Sequence, residues 1–244
     1  MIEIKGLHKA FGTKKVLNGV DLTINDGETL VIVGRSGCGK SVMLKHIVGL
    51  LHPDQGIVKV RGKNIHEISR KELYDTRRLF GFLFQGAALF DSLTVGENVS
   101  MPLEESAVPP SKEEMNRLVA EKLELVGLPG TEKLKPAELS GGMRKRVGLA
   151  RALVTNPAYI LYDEPTTGLD PIMSDSIDNL IKELAGKLKV TSIVVTHDMF
   201  SVKNVADRVA MMHEGVVYFT GSPDSLLNST DHTIYEFIRR TETL

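Results

Sequence analysis

Residues 29–48 constrain the fold of this 244-residue chain more than any other segment. Thr29–Val33 is a short apolar run rich in branched residues, which is typical of a buried parallel strand. A turn with three glycines follows, and Lys40 and Ser41 then open a helical stretch. A strand, a glycine-rich turn and a helix form the context in which the Walker A pattern G-x-x-x-x-G-K-[ST] binds phosphate. The segment therefore predicts an α/β fold with a phosphate site where the helix begins.

The chemistry expected of this loop follows from its residue types. Glycines let backbone N–H groups approach a phosphate chain, and the helix N-terminus adds its positive dipole end. Lys40 is predicted to reach the β- and γ-phosphates of ATP, and Ser41 to hold Mg²⁺. The alternative is a chance glycine-rich turn. The residues predicted to bind the nucleotide here are Gly34, Arg35, Ser36, Gly37, Cys38, Gly39, Lys40, Ser41 and Val42.

A second apolar strand is predicted at 158–162, directly before Asp163 and Glu164. Ligand sites in open α/β sheets lie at the carboxyl ends of the strands. Asp163 fits the Walker B role of holding Mg²⁺, and Glu164 is then placed to orient or deprotonate the attacking water. The alternative is an ordinary exposed acidic pair after a strand.

The remaining motifs resemble those of the ATP-binding cassette (ABC) ATPases across nearly the whole chain. Residues 139–142, Leu-Ser-Gly-Gly, resemble the signature motif; Gln85 matches the Q-loop, 168–170 the D-loop and His197 the switch histidine. The resemblance implies one α/β domain: a RecA-like P-loop core with an antiparallel β-subdomain and an inserted helical subdomain. It also implies an ATPase that uses ATP and Mg²⁺.

The signature residues open a predicted helix, and such a helix start suits an anion. In the family the motif docks on the nucleotide of a second subunit, so the resemblance implies a dimer that sandwiches two ATP molecules. The alternative is a simple N-cap made by Ser140. The predicted nucleotide contacts of this region are Ser140, Gly141, Gly142 and, in the D-loop, Asp170.

Three further assignments have structural alternatives. Gln85 is assigned to Mg²⁺ and the attacking water, although it also fits a polar strand end. His197 is assigned to the γ-phosphate, although a lone histidine after an apolar strand is often structural. Phe11 lies where the family places an aromatic ring against adenine, although a single aromatic residue is usually part of a core.

The hydrophobic pattern divides the chain into parts. Residues 1–33 and 56–62 predict strands, including an antiparallel sheet. We predict a core from 1–85 and 155–230, a helical signature subdomain at 86–154 hinged at Gln85, and a tail at 231–244. Ser111 and Glu114 resemble a capping box. In the tail, one helical face carries Ile234, Phe237 and Ile238, a pattern that predicts docking of the tail on its own domain.

Finer details resemble the MlaF-type ATPases of MCE-linked phospholipid transporters. These details are the segment 85–99, the segment 133–138 and Met143, where the usual signature has glutamine. The resemblance implies a permease of the MlaE type, an MCE-domain protein outside the membrane, a possible soluble regulatory subunit, and peripheral attachment to the cytoplasmic face of the inner membrane. It also implies a second expectation for the tail, that it reaches across to the other subunit. The segment 87–90 is expected near the permease, or else in the subdomain core. Other solutes, a cell-division ATPase and a binding module without turnover remain alternatives.

Composition narrows the classes of partner that this chain can bind. The chain has 30 basic and 31 acidic side chains, a net charge of −1, which argues against a general nucleic-acid binder. Arg144, Lys145, Arg146 and Arg151 form a local basic cluster, read as a solvated helix face or as part of the nucleotide interface. No apolar run is long enough to span a bilayer, so a transport pore would belong to another polypeptide. A single cysteine, Cys38, fits a reducing compartment and predicts that a thiol reagent inactivates the protein and that MgATP protects it.

Overall fold

The computed structural model describes residues 1–242, which form two sheets flanked by helices. The strands are β1 (Ile2–Phe11), β2 (Lys14–Ile24), β3 (Thr29–Val33), β4 (Gln55–Val60), β5 (Lys63–Asn64), β6 (Phe80–Leu83), β7 (Tyr159–Asp163), β8 (Thr191–Val195), β9 (Arg208–His213) and β10 (Val216–Gly221). The helices are α1 (Lys40–Ile47), α2 (Arg70–Arg77), α3 (Val95–Glu104), α4 (Lys112–Leu125), α5 (Gly141–Leu153), α6 (Pro171–Leu188), α7 (Met199–Val205), α8 (Pro223–Leu227) and α9 (His232–Glu242).

The larger sheet carries the predicted site. Its strand order is β10-β9-β3-β8-β7-β6, and all neighbours are parallel except β10 and β9. Strands β3 and β8 are mostly apolar and are buried along their whole length, as expected for parallel strands covered on both faces. The carboxyl ends of β3, β6, β7 and β8 therefore share one edge, where each predicted catalytic residue follows a strand.

The smaller sheet has the order β2-β1-β4-β5 and is antiparallel throughout, as the sequence predicted. Of the strands predicted within 1–33, only β1 and β2 belong to it, because β3 pairs with β8 and β9. An apolar core joins this sheet to the larger one and includes Met43, Leu44 and Ile47 of α1. Helix α1 is thus held between the two sheets, directly behind the phosphate loop.

Helices α3, α4 and α5 follow one another in the chain between β6 and β7, which agrees with the helical pattern predicted for this stretch. The capping box predicted for α4 is only half formed. The Ser111 hydroxyl accepts from the Glu114 N–H at 3.2 Å, but the Glu114 carboxylate accepts two bonds from the Arg117 guanidinium at 2.6 and 2.9 Å. A bidentate, charge-assisted pair is stronger than a bond to one backbone N–H, so it takes the carboxylate.

Helix α9 lies on its own chain, against α7 and α8. Ile234 and Phe237 are buried in the core, and Ile238 packs against it. Docking on the same domain, one of the two expectations for the tail, is thus what residues 231–242 show. No helix within residues 1–242 combines the length and apolarity that a bilayer span requires.

Candidate nucleotide site

A cavity of about 570 Å³ opens at the carboxyl edge of the parallel sheet. Its volume falls in the range of small-molecule sites. The cavity brings together residues from the phosphate loop, β7 and the turns after β6 and β8. The predicted residues that line it are Gly34, Arg35, Ser36, Gly37, Gly39, Lys40, Ser41, Val42, Gln85, Asp163, Glu164 and His197.

The phosphate loop requires glycine just before α1. Gly39 has φ +108°, and a Cβ there would lie 2.9 Å from the Val16 carbonyl oxygen and 2.7 Å from a Leu17 methyl group. Gly39 is also the N-cap of α1, and no side chain caps that end. The first N–H groups of α1 therefore remain available to an anion at the cavity.

Lys40 brings a cation to the same loop. Its side chain is buried, and its ammonium donates to the carbonyls of Gly34 at 2.7 Å and Arg35 at 3.3 Å. The positive charge is therefore held against the loop main chain, beside the uncapped helix start. This arrangement suits a polyphosphate.

Three oxygen donors fit a magnesium ion. The Ser41 hydroxyl donates to Asp163 Oδ1 at 3.2 Å, and the Gln85 amide lines the same cavity. Hydroxyl, carboxylate and amide oxygens are hard ligands, and Mg²⁺ typically takes one or two carboxylates together with substrate phosphates. The residues present therefore fit Mg²⁺ bound with a nucleotide.

Glu164 and His197 are in direct contact. His197 Nδ1 lies 2.8 Å from Glu164 Oε2, which also accepts the Thr167 hydroxyl at 3.2 Å. Glu164 has φ +50°, and its N–H donates to the Val195 carbonyl at 2.9 Å. This left-handed backbone is unusual outside glycine, and such strained residues cluster at functional sites. The turn directs the carboxylate into the cavity beside the imidazole.

Six predicted residues do not line this cavity: Phe11, Cys38, Ser140, Gly141, Gly142 and Asp170. The Phe11 ring is half exposed at the end of β1, with the Lys9 ammonium 5.7 Å from its centroid. Val16, which the sequence did not single out, contacts the cavity instead. The adenine contact of Phe11 stays a prediction.

The Cys38 thiol faces the protein rather than the cavity. A Cβ on Gly34 would lie 2.8 Å from Cys38 Sγ, and the side chain packs against the core beneath the loop. Burial raises the pKa of this thiol, although the nearby Lys40 ammonium acts in the opposite direction. Because the thiolate is the reactive form, we now expect thiol reagents to act slowly here.

The signature residues form a second helix start outside the cavity. The Ser140 hydroxyl accepts from the Met143 N–H at 3.2 Å and caps α5, while Asp170 accepts from the Met173 N–H at 2.9 Å and caps α6. The two starts touch, since a Cβ on Gly142 would lie 2.8 Å from Met173 Sδ. The N-cap role considered for Ser140 is thus present, and the signature lies apart from the phosphate loop of its own chain.

The basic cluster of α5 is a solvated face only in part: Arg144 is exposed, whereas Lys145 is buried and Arg146 and Arg151 are half-buried. All four side chains donate to main-chain carbonyls of the same chain, because these acceptors lie on the segments packed around α5. The bonds run from Arg144 to Leu139, from Lys145 to Gln85 and Glu164, from Arg146 to Val126, and from Arg151 to Ala87 and Ala88. Burial lowers the pKa of the Lys145 ammonium, and the carboxylates of Glu164 and Asp163 oppose that shift.

Sequence reasoning missed five residues that line the cavity: Val16, Thr167, Phe237, Arg240 and Thr241. Thr167 lies three residues after Glu164, so its closeness in sequence to the predicted carboxylate could have identified it. Nothing in the sequence indicated Phe237, Arg240 and Thr241, because α9 reaches the cavity only through tertiary packing. A pattern of apolar residues in the tail predicts a buried face but not what that face covers.

Comparison with known proteins identifies the family. Residues 17–167 match the family model for the ABC transporter. The probable ribonucleotide transport ATP-binding protein mkl of Mycobacterium leprae is 44% identical over 97% of this chain and 68% of its own length; the chain spans 66% of the Mycobacterium tuberculosis counterpart. The methionine import ATP-binding protein MetN of Clostridium acetobutylicum is 42% identical over 99% of this chain and 75% of its own length.

The intermembrane phospholipid transport system ATP-binding protein MlaF of Haemophilus influenzae is 39% identical over 98% of this chain and 90% of its own length. Among solved structures, the ATP-binding cassette MJ0796, a dimer in a post-hydrolysis state bound to ADP and Pi, superimposes with a TM-score of 0.82. The two sequences are 35% identical, and the superposition covers 91% of this chain and 99% of the MJ0796 chain. Family model, relatives and fold agree, and this chain therefore belongs to the ABC transporter family, as an ATPase cassette that uses ATP and Mg²⁺.

Proposed function

We propose that two copies of this chain close head to tail on two MgATP and drive a membrane permease that moves phospholipid. One observation supports the dimer. The cavity is lined by the phosphate loop, Asp163, Glu164 and His197, whereas the second glycine-rich helix start, at Ser140, lies outside it. A second copy in the reverse orientation supplies the missing helix start. This arrangement accounts for both glycine-rich motifs.

The hydrolytic roles follow from the donor set. Lys40 and the uncapped start of α1 bind the phosphates, and Ser41, Asp163 and Gln85 hold Mg²⁺, which neutralises charge on the transferred phosphoryl group. Glu164 orients the attacking water or accepts its proton. His197, 2.8 Å from that carboxylate, fixes it in place and contacts the γ-phosphate.

An apolar groove supports a membrane partner. It lies between β6 and α3, has a volume of about 340 Å³, and is lined by four phenylalanines and Met101 together with smaller side chains and Arg151. Phe90 is 53% exposed there, although its neighbour Ala87 is buried, so the segment 87–90 is part core and part groove. Exposed apolar grooves on soluble domains commonly receive an amphipathic helix. We assign this groove to a cytoplasmic helix of an MlaE-type permease at the inner membrane.

The cargo assignment rests on likeness to one group of relatives. MlaF of Haemophilus influenzae is named for phospholipid transport, and Met143 belongs to the pattern that suggested MlaF-type proteins. The MlaF-type assignment adds an MCE-domain protein and a possible regulatory subunit. A cassette for another solute is the second candidate, since the MetN relative named for methionine import is 42% identical.

Affinity purification separates these candidates. The chain is tagged in its own cell, membranes are solubilised gently, and co-purifying proteins are identified. A multi-pass permease with an MCE-domain protein supports phospholipid transport, whereas another permease replaces the cargo assignment. A purely soluble partner set contradicts transport.

A matched pair of variants tests the groove. Phe90→Asp places a charge in it, and Phe200→Asp makes the same change at a side chain 69% exposed on α7. We expect Phe90→Asp to reduce permease recovery and Phe200→Asp to leave it unchanged. Equal recovery in both variants would remove the groove from the interface.

A further inference from the structure

Lys145 joins three segments of the chain with one ammonium group. It lies in the second turn of α5, and its side chain is buried at 5% exposure. Nζ donates to the main-chain carbonyl of Gln85 and, at 3.3 Å, to that of Glu164. Gln85 follows β6 and Glu164 follows β7, so Lys145 ties the signature helix to both turns that carry the proposed Mg²⁺ and hydrolytic side chains.

Both turns contain strained backbone. Glu164, Ala87 and Ala88 have φ values of +50°, +60° and +48°. A non-glycine residue in this sparsely populated region is strained and persists only where its surroundings hold it. Lys145 binds the Glu164 carbonyl, and Arg151 binds those of Ala87 and Ala88 at 2.6 and 2.7 Å. Cations of α5 therefore bind the carbonyls of all three of these strained residues.

We infer that Lys145 is a positioning residue for ATP hydrolysis, which fixes the Gln85 and Glu164 turns to the helix that begins at Ser140. Docking of that helix start on the partner's nucleotide then sets both turns together. The inference rests on the proposed function, because that function gives Gln85 and Glu164 their roles. Lys145 is not a catalytic residue, since its ammonium is directed to main-chain carbonyls.

The bonds to carbonyls require a donor at this position. Methionine fills a similar volume but removes the ammonium from both carbonyls, so the Glu164 carbonyl keeps only the Thr167 N–H at 3.3 Å and the Gln85 carbonyl loses its charged donor. Arginine keeps the charge and several donors. The chain also offers a matched control in Lys122 of α4, which is equally buried but pairs with Glu121 at 2.7 Å and does not line the cavity.

Steady-state ATPase assays on Lys145→Met, Lys145→Arg and Lys122→Met test the inference. We expect Lys145→Met to lower kcat by about 10- to 100-fold, since small displacements of reacting groups have effects of this size. Its KM for ATP stays close to wild type because the phosphate loop is untouched. Lys145→Arg recovers most of kcat, and Lys122→Met keeps wild-type kcat and KM.

Amide hydrogen exchange provides a readout independent of activity. The Ala87 N–H donates to the Phe84 carbonyl at 2.8 Å and the Thr167 N–H to that of Glu164 at 3.3 Å. Both amides should exchange faster in Lys145→Met, at a temperature well below its unfolding midpoint, and not in Lys122→Met.

Wild-type kcat with unchanged exchange in Lys145→Met would overturn the inference, as would an equal loss of kcat in Lys122→Met. If the wild type itself releases no phosphate, the proposed function fails, and the exchange comparison alone decides whether Lys145 positions the two turns.

Discussion

The starts of α1 and α5 are both rich in glycine, yet they differ in what they leave open. Gly39 caps α1 without a side chain, and its positive φ is obligatory beside the Val16 carbonyl. Ser140 caps α5 itself, and Gly142 is needed there only for close packing on Met173. The first opens on the cavity of its own chain. The second lies outside that cavity and is capped by its own serine.

The largest effect we predict is on turnover in Glu164→Gln. The amide keeps the size of the carboxylate but cannot accept a proton, and general-base catalysis typically contributes about 10²- to 10⁴-fold. We expect kcat to fall by that amount while ATP binding at the α1 start is retained. Phosphate release and nucleotide titration measure the two quantities. Normal turnover would remove Glu164 from its role.

The two glycines themselves give the next largest effect. In Gly39→Ala the new Cβ lies too close to the Val16 carbonyl oxygen, and the residue must adopt φ +108°. We therefore expect the free energy of unfolding to fall by about 1–3 kcal/mol and the affinity for ATP to fall as well. In Gly142→Ala the Cβ meets only the flexible end of Met173, and alanine favours a helix by about 0.5–1 kcal/mol. Denaturant unfolding should place Gly142→Ala within about 1 kcal/mol of wild type. Equal losses would contradict the distinction between the two starts.

A buried acid distinguishes the α6 side of the molecule. Asp178 accepts the Ser201 hydroxyl at 2.7 Å, its other oxygen is unpaired, and burial raises its pKa to about 6. Between pH 3.8 and 6 the folded state keeps a proton that the unfolded state has lost, so stability falls as pH rises through this range.

Asp178→Asn removes the buried charge, a gain of about 3 kcal/mol at pH 7.5 for a pKa raised from 3.8 to about 6. One amide N–H stays unbonded and offsets about 1–2 kcal/mol of this gain, so the variant should be more stable than wild type by about 1–2 kcal/mol. At pH 4, where the wild-type carboxyl is protonated in the folded state, this advantage should disappear. Thermal unfolding at the two pH values checks this, and a variant less stable at pH 7.5 would contradict it.

The α1 side should respond to pH in the opposite sense, with the smallest effect. The His66 ring lies 6.3 Å from that of His46 on α1 and 5.2 Å from that of His52, and both its nitrogens are buried without a partner. Burial, aided by the neighbouring histidines, lowers the pKa of His66 to about 4.

As pH drops below 6.5, His66 becomes protonated in the unfolded chain but stays neutral in the folded chain until about pH 4. The free energy of unfolding therefore falls as pH drops from 6.5 towards 4. Lys9 and Asp54 are the nearby charged pair, 2.7 Å apart. Replacing the ring in His66→Leu should reduce the fall in melting temperature between pH 7 and pH 5. An identical fall would exclude His66 as its source.

Features with local sequence signals were predictable, whereas features that depend on tertiary packing were not. The loop before α1, the strand before Asp163 and the helical layer were predictable because their signals are local. The inward bonds of Lys145 and Arg151 to Gln85, Ala87 and Ala88 were not, because these acceptors lie 60 or more residues earlier in the chain. The left-handed backbone of Ala87 and Ala88 leaves no mark in residue type, and the approach of α9 to the cavity depends on tertiary packing.

The central claim is that the Ser140 start serves the nucleotide of another copy. Sedimentation with MgATP tests it on Glu164→Gln, with Ser140→Arg or Ser111→Arg added. Both additions remove an exposed N-cap, at a cost of about 1 kcal/mol, but Ser111 caps α4. We predict that Glu164→Gln dimerises, that Ser140→Arg abolishes the dimer without weakening ATP binding by the monomer, and that Ser111→Arg changes neither. A dimer that survives Ser140→Arg, or a monomer that loses ATP with it, would contradict the account.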